Sequence, residues 1–173
     1  MSAQATPPAT PTPAEKPDAK LVSLLWATID HAAELAKTHA QLFPEPWDEA
    51  SFTQFLSHPG SVALIARQGN PQQTVGFIVG QLAADEAEIL TFGVIEPWRR
   101  LGIARRLIDG IKRGAARGGA TKLFLEVAED NLPALVLYSR TGFQEAGRRK
   151  GYYQRPGGAA VDALNLALPL TPA

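Results

Sequence analysis

The chain has 173 residues, 45% of them apolar and 20% charged, which is the profile of a globular protein large enough for one domain with a core. Lysine plus arginine and aspartate plus glutamate each number 17, so a net charge of zero argues against bulk affinity for nucleic acid or an anionic membrane. Cysteine is absent, which excludes disulfides, a cysteine nucleophile and thiolate metal sites, and suits a reducing cytoplasm.

His31, His39 and His58 lack the spacing of a metal cluster, so surface or packing roles are expected for them and no metal is expected. No segment approaches the roughly 18 consecutive apolar residues of a membrane span. The N-terminus has no basic region leading into an apolar stretch, so neither an anchor nor a signal peptide is expected.

Residues 1–19 are almost entirely Ala, Pro, Thr, Ser and Gln. They bury too little apolar surface to offset ordering entropy and read as a disordered tail ahead of a domain at 20–173. Apolar residues at helical spacing (Leu24, Leu25, Ile29, Ala32, Ala33, Leu35, Ala36) predict a helix over 24–42. A proline-interrupted loop through Phe43 and Trp47 leads to a second helix over 49–56. Three strands follow, over 61–67, 74–82 and 88–94, with turns at Pro59-Gly60, Gly69-Asn70-Pro71 and Asp85-Glu86, an antiparallel meander. The stretch 102–117 carries one apolar stripe and ends at Gly118-Gly119, which predicts an amphipathic helix. A strand over 121–128, a helix capped by Asp130 or Asn131 with Pro133 in its first turn, and strands over 143–146 and 161–168 complete the order. The expectation is an α/β (α+β) fold, a mixed, mostly antiparallel central sheet with helices on both faces.

Arg99-Arg100-Leu101-Gly102-Ile103-Ala104 joins the third of these strands to the amphipathic helix. A small-residue turn there lets backbone approach an anion, and the first helical turn presents free N–H groups at the positive end of the dipole. From Arg99 to Arg117 there are seven basic residues and one acidic, Asp109. Part of that charge reads as a solvated helix face, with Asp109 pairing to Arg113 four residues on. The three glycines and acidic ribose ligand of a Rossmann site are missing. In the strand at 121–128, Glu126 interrupts an apolar run, and a carboxylate there is expensive unless it is used or paired to an arginine. Tyr138 lies seven residues beyond Asn131, where it either packs on the sheet or does chemistry.

Arg99-x-x-Gly102-x-Ala104, Leu125-Glu126-Val127, the Asn131 to Phe143 block and Tyr152-Tyr153 after Arg148-Arg149 together resemble the GNAT N-acetyltransferase superfamily. The likeness is closest to its RimI-type branch, the ribosomal-protein-alanine N-acetyltransferases. The sequence departs from that pattern at Pro97, one place later than usual, at Gly93, where many relatives carry alanine, and in its N-terminal tail. The resemblance implies the GNAT fold and acetyl-CoA as co-substrate. It implies that the backbone from Arg100 to Arg105 (Leu101, Gly102, Ile103 and Ala104 included) holds the pyrophosphate, with Arg99 close by. It places Phe92, Gly93 and Val94 beside the pantetheine arm, the Val94 N–H polarising the thioester carbonyl, and Asn131 on the cofactor. Glu126 is then the general base, Tyr138 the acid for the departing thiolate, and Phe43, Trp47, Tyr152 and Tyr153 flank the acceptor. The implied partner is a protein or peptide N-terminus, the alanine that begins a small-subunit ribosomal protein, in the cytoplasm.

Direct attack by an amine suits a chain without cysteine. At pH 7 an α-amine with a pKa of about 7.8 is about 14% neutral and a lysine at about 10.4 is about 0.04% neutral. That gap amounts to about 3.5 kcal/mol, so a single glutamate base is better matched to a protein N-terminus. An acetyltransferase for a small-molecule amine and a non-catalytic acyl-CoA-binding module remain alternatives.

Overall fold

Seven strands form one sheet in the order β1-β2-β3-β4-β5-β7-β6 in a computed structural model that describes residues 17–69 and 72–171. The strands are β1 (Ser23–Trp26), β2 (Ser61–Gln68), β3 (Gln73–Ala83), β4 (Glu86–Val94), β5 (Lys122–Ala128), β6 (Gln144–Tyr153) and β7 (Val161–Pro169). The helices are α1 (Ala32–Ala40), α2 (Glu49–Ser57), α3 (Ile103–Arg117) and α4 (Leu132–Arg140). All neighbours pair antiparallel except β4 and β5, which run parallel with α3 as their crossover. Residues 1–16 of the expected tail, and Asn70-Pro71 of the expected turn, lie outside the described residues.

The alternation of β2 and β3 decides which helix goes where. Ala63, Ile65, Phe77 and Val79 face one side and bury against Ala32, Leu35 and Phe52 of α1 and α2. Leu64, Ala66 and Ile78 face the other side, where Ile103, Leu107, Ile108 and Ile111 of α3 complete the larger core. Helices therefore cover both faces.

Two elements differ from the sequence expectation. Residues 24–26 belong to β1, paired Leu24↔Ala66 to Trp26↔Leu64, and not to the first helix. The helix starts only after Thr28, which closes a capping box with His31 over a 3-10 turn. Strand β6 runs on to Tyr153, well past Ala146. It is a sheet edge with mostly exposed side chains, so it lacks the apolar alternation that marks a strand in sequence.

The feature that positions the site is a wedge between β4 and β5. Their pairing runs only from Glu86↔Lys122 to Ile89↔Leu125. At that point the β3 register jumps from Val79↔Thr91 to Gly80↔Ile89, which leaves Leu90 as an extra residue on β4. Such a bulge bends the strand that carries it. Beyond it β4 stays with β3 while β5 stays with β7 as far as Ala128↔Ala163, so the sheet opens in its middle.

Candidate active site

Two cavities lie at the wedge. The first, about 650 Å³, lies between the turn into α3 and the length of α4, and its walls include Arg99, Arg100, Gly102, Ala104 and Arg105. The second, about 400 Å³, fills the wedge itself, where Phe92, Glu126, Asn131, Tyr138 and Tyr153 meet.

At the first cavity the backbone forms a concave cradle. Arg100 and Gly102 both have positive φ, 62° and 82°, on either side of Leu101. Left-handed residues in such a turn fold successive N–H groups toward one point. Gly102 caps α3, and the first helical bond is Arg106 N–H to the Gly102 carbonyl at 3.1 Å. The N–H groups of Ile103, Ala104 and Arg105 are left at the positive end of the helix. Arg99 is tied to the strand end, its Nε donating to the Val94 carbonyl at 2.9 Å and its Nη1 to Glu96 at 3.0 Å. Asp109 pairs with Arg105 and Lys112, each at 3.9 Å, and not with Arg113 as the sequence suggested. Arg106 donates to the Ala19 and Val22 carbonyls and clamps the start of the described chain onto α3.

In the wedge the end of β4 presents unpaired backbone. Ile95 N–H donates to the Val75 carbonyl at 3.0 Å, so antiparallel alternation turns the amides of Phe92 and Val94 away from β3 and toward the opening. Gly93 is accounted for on the opposite face. A Cβ there would stand 2.6 Å from Leu42 Cδ1, so the leucine takes the space that an alanine would need.

Glu126 enters the wedge from β5 about one-quarter exposed. Its carboxylate lies 3.3 Å from Arg149 Nη1 and accepts the Tyr153 hydroxyl at 3.3 Å. Burial, with the Glu126 charge beside it, holds the Tyr153 phenol above its ordinary pKa. The Tyr138 ring is buried against Phe92 and Phe143, with centroids at 6.4 and 5.6 Å, and burial pushes its phenol up to about 12. Asn131 caps α4, its Oδ1 accepting the Ala134 N–H at 3.3 Å, and it also lines the wedge.

The expected acceptor residues divide. Phe43 and Tyr153 line the wedge cavity. Trp47 stacks on Phe55 at 4.6 Å, behind the cavity wall, and Tyr152 stands half exposed at the edge with the Arg149 guanidinium 5.4 Å above its ring. Sequence reasoning missed three wedge residues. Arg149 and Arg155 come from a strand and a loop whose register only the fold supplies. Arg155 is held by Asp130 at 2.6 Å and lies over the Tyr153 ring. Thr91 hydrogen-bonds His39 at 3.1 Å, a contact 52 residues apart in sequence.

The acetyltransferase (GNAT) family model matches residues 28–143. A chain with this sheet, wedge and phosphate-type turn belongs to that family, and it is an acetyl-CoA-dependent N-acetyltransferase. It is 36% identical over 149 residues to the N-alpha-acetyltransferase RimI of Mycobacterium tuberculosis, covering 83% of this chain and 91% of that one. It is 31% identical over 150 residues to the [Ribosomal protein bS18]-alanine N-acetyltransferase of Escherichia coli, covering 87% and 97%. The crystal structure of the ribosomal-protein-S18-alanine N-acetyltransferase from Escherichia coli superposes with a TM-score of 0.78 at 25% identity, covering 88% and 96%. Arabidopsis thaliana NAA60 shares the fold at a TM-score of 0.73 and 21% identity, covering 88% and 99%. Among the described residues no helix is long and apolar enough to cross a membrane.

Proposed function

We propose that this enzyme acetylates the α-amine of a protein N-terminus, with the alanine that begins a small-subunit ribosomal protein as its acceptor and the cytoplasm as its place of work. The observation that carries the reading is Glu126, the one carboxylate among the described residues that lines the β4–β5 wedge, where it shares the cavity with Phe92, whose amide turns away from β3. The names of the RimI relatives point to the same acceptor.

The residues fit the co-substrate. The cradle at Arg100 to Arg105 offers converging N–H groups to a pyrophosphate, and the wedge is open to an extended arm along Phe92 to Val94. When bound, acetyl-CoA supplies the activated thioester carbonyl. The Val94 N–H donates to its oxygen, where negative charge develops. Glu126 takes the proton of the attacking amine, and the Tyr153 hydroxyl and Arg149 orient its carboxylate. Tyr138 acts on the sulfur as a hydrogen-bond donor. A phenol at about 12 is roughly 3.5 units weaker than an ordinary thiol near 8.5, so full proton transfer to a thiolate is uphill by about 5 kcal/mol. The acid role expected of Tyr138 thus becomes stabilisation of the departing thiolate.

The test is CoA release with three acceptors: a peptide beginning with free alanine, the same peptide blocked at its N-terminus but carrying lysine, and a small polyamine. Turnover confined to the free N-terminus is the expected result. Turnover on the polyamine alone overturns the reading in favour of a small-molecule enzyme.

A further inference from the structure

We propose that Arg140, in the last turn of α4, binds the 3′-phosphate of the CoA nucleotide and makes the enzyme select CoA over its 3′-dephospho form. The inference rests on the acetyl-CoA reading above and deepens it.

Among the described residues four arginines and no carboxylate line the larger cavity: Arg99, Arg100 and Arg105 on the α3 side, Arg140 on the α4 side. Their commitments differ. Arg99 is fixed by the Val94 carbonyl and Glu96, and Arg105 shares Asp109 with Lys112. Lys112 itself donates to the Thr141 carbonyl and bridges the two helices. Among the described residues neither Arg100 nor Arg140 has a carboxylate within 4 Å, and both are exposed at the cavity wall; Arg100 belongs to the pyrophosphate cradle itself, which leaves Arg140 as the free cation on the opposite, α4 side.

Its helix shows what lies beside it. Leu132, Val136 and Arg140 are four residues apart and form one stripe along α4, about 12 Å from first to last. Leu132 and Val136 are 66% and 50% exposed, although both are large and apolar, and both line the cavity. An apolar stripe that ends in a cation matches a ligand with an uncharged body and a terminal anion. The backbone cradle across the cavity accounts for the pyrophosphate through N–H groups alone. The 3′-phosphate, close to a dianion at pH 7, is the remaining charge, and a planar guanidinium takes such oxygens in pairs.

Calorimetric titration with CoA and with 3′-dephospho-CoA, on the full chain and on Arg140→Ala and Arg140→Lys, tests this. The wild type is expected to bind CoA about 10-fold more tightly than dephospho-CoA, as one solvent-exposed charge-assisted contact allows. Arg140→Ala is expected to erase that preference by weakening CoA alone, and Arg140→Lys to restore part of it. Equal affinity of the wild type for the two nucleotides overturns the proposal and leaves the acetyl-CoA reading intact. Equal weakening of both nucleotides in Arg140→Ala also overturns it, since that marks a structural role. Failure of the folded wild type to bind either nucleotide removes the acetyl-CoA reading and this inference together.

Discussion

Burial pushes the Tyr138 phenol up to about 12, so the thiolate-stabilising role proposed for it carries a definite pH signature. A donor that never ionises near neutrality contributes no limb to a pH–rate profile below about pH 10. Tyr138→Phe is therefore expected to lower kcat by about 10-fold, the scale of one hydrogen bond to a charged group, with the profile unchanged in shape. Rates measured from pH 6 to 10 on both proteins check this, and loss of a descending limb in the variant would restore the general-acid role. At His39 the sequence left surface and packing roles both open, and the structure places the ring inside an aromatic cluster. It stacks on Phe43 at 4.1 Å and accepts the Trp47 amide at Nδ1, which leaves Nε2 as donor to Thr91. A doubly protonated ring could not accept from Trp47. Burial accordingly lowers the His39 pKa from its ordinary 6.5. The unfolded chain then binds a proton that the folded chain resists, so this stability is complete above about pH 6.5 and is lost as pH falls below it. Melting temperatures should drop more steeply from pH 7 to pH 5 in the wild type than in His39→Gln, and equal slopes would contradict the assignment. Glu126 was legible as a carboxylate in an apolar strand. Its Arg149 partner was not, because that pairing passes through the β5–β7–β6 register.

Among the elements, the turn into α3 was the most readable, since its glycine, its basic residues and the apolar stripe after it all lie within 20 residues. Gly102 has φ +82° with no atom within 4 Å of where a Cβ would stand, so the demand on this position is one of backbone conformation and not of space. Gly102→Val is expected to keep the fold at a cost of about 1–2 kcal/mol and to weaken acetyl-CoA by about 10-fold as the cradle relaxes. Thermal melts and calorimetry read the two effects separately, and unchanged affinity would show that the turn does not hold the nucleotide. The first strand illustrates the opposite case. Leu24 and Leu25 fit the helical spacing of the residues that follow, and only pairing with β2 makes them a strand. Four residues at a sheet edge leave too short a pattern to read.

At the level of the whole molecule, element order and chain length led to the correct fold class, because alternating β and α segments admit few packed arrangements. The wedge was beyond reach of sequence reasoning. It depends on one extra residue, Leu90, being absorbed where the parallel β4–β5 ladder ends, and nothing in the local pattern marks that residue as unpaired. Yet the wedge brings Glu126, Tyr138, Tyr153 and the end of β4 around one cavity, and the proposed chemistry follows from that placement. The most direct test of the account is Glu126→Gln, an isosteric change that removes the base and keeps the volume. Acetyl transfer to a peptide with a free N-terminal alanine should fall by about 100-fold or more while the acetyl-CoA dissociation constant stays within about twofold of wild type. An undiminished rate in the variant would contradict the claim that Glu126 takes the proton of the attacking amine.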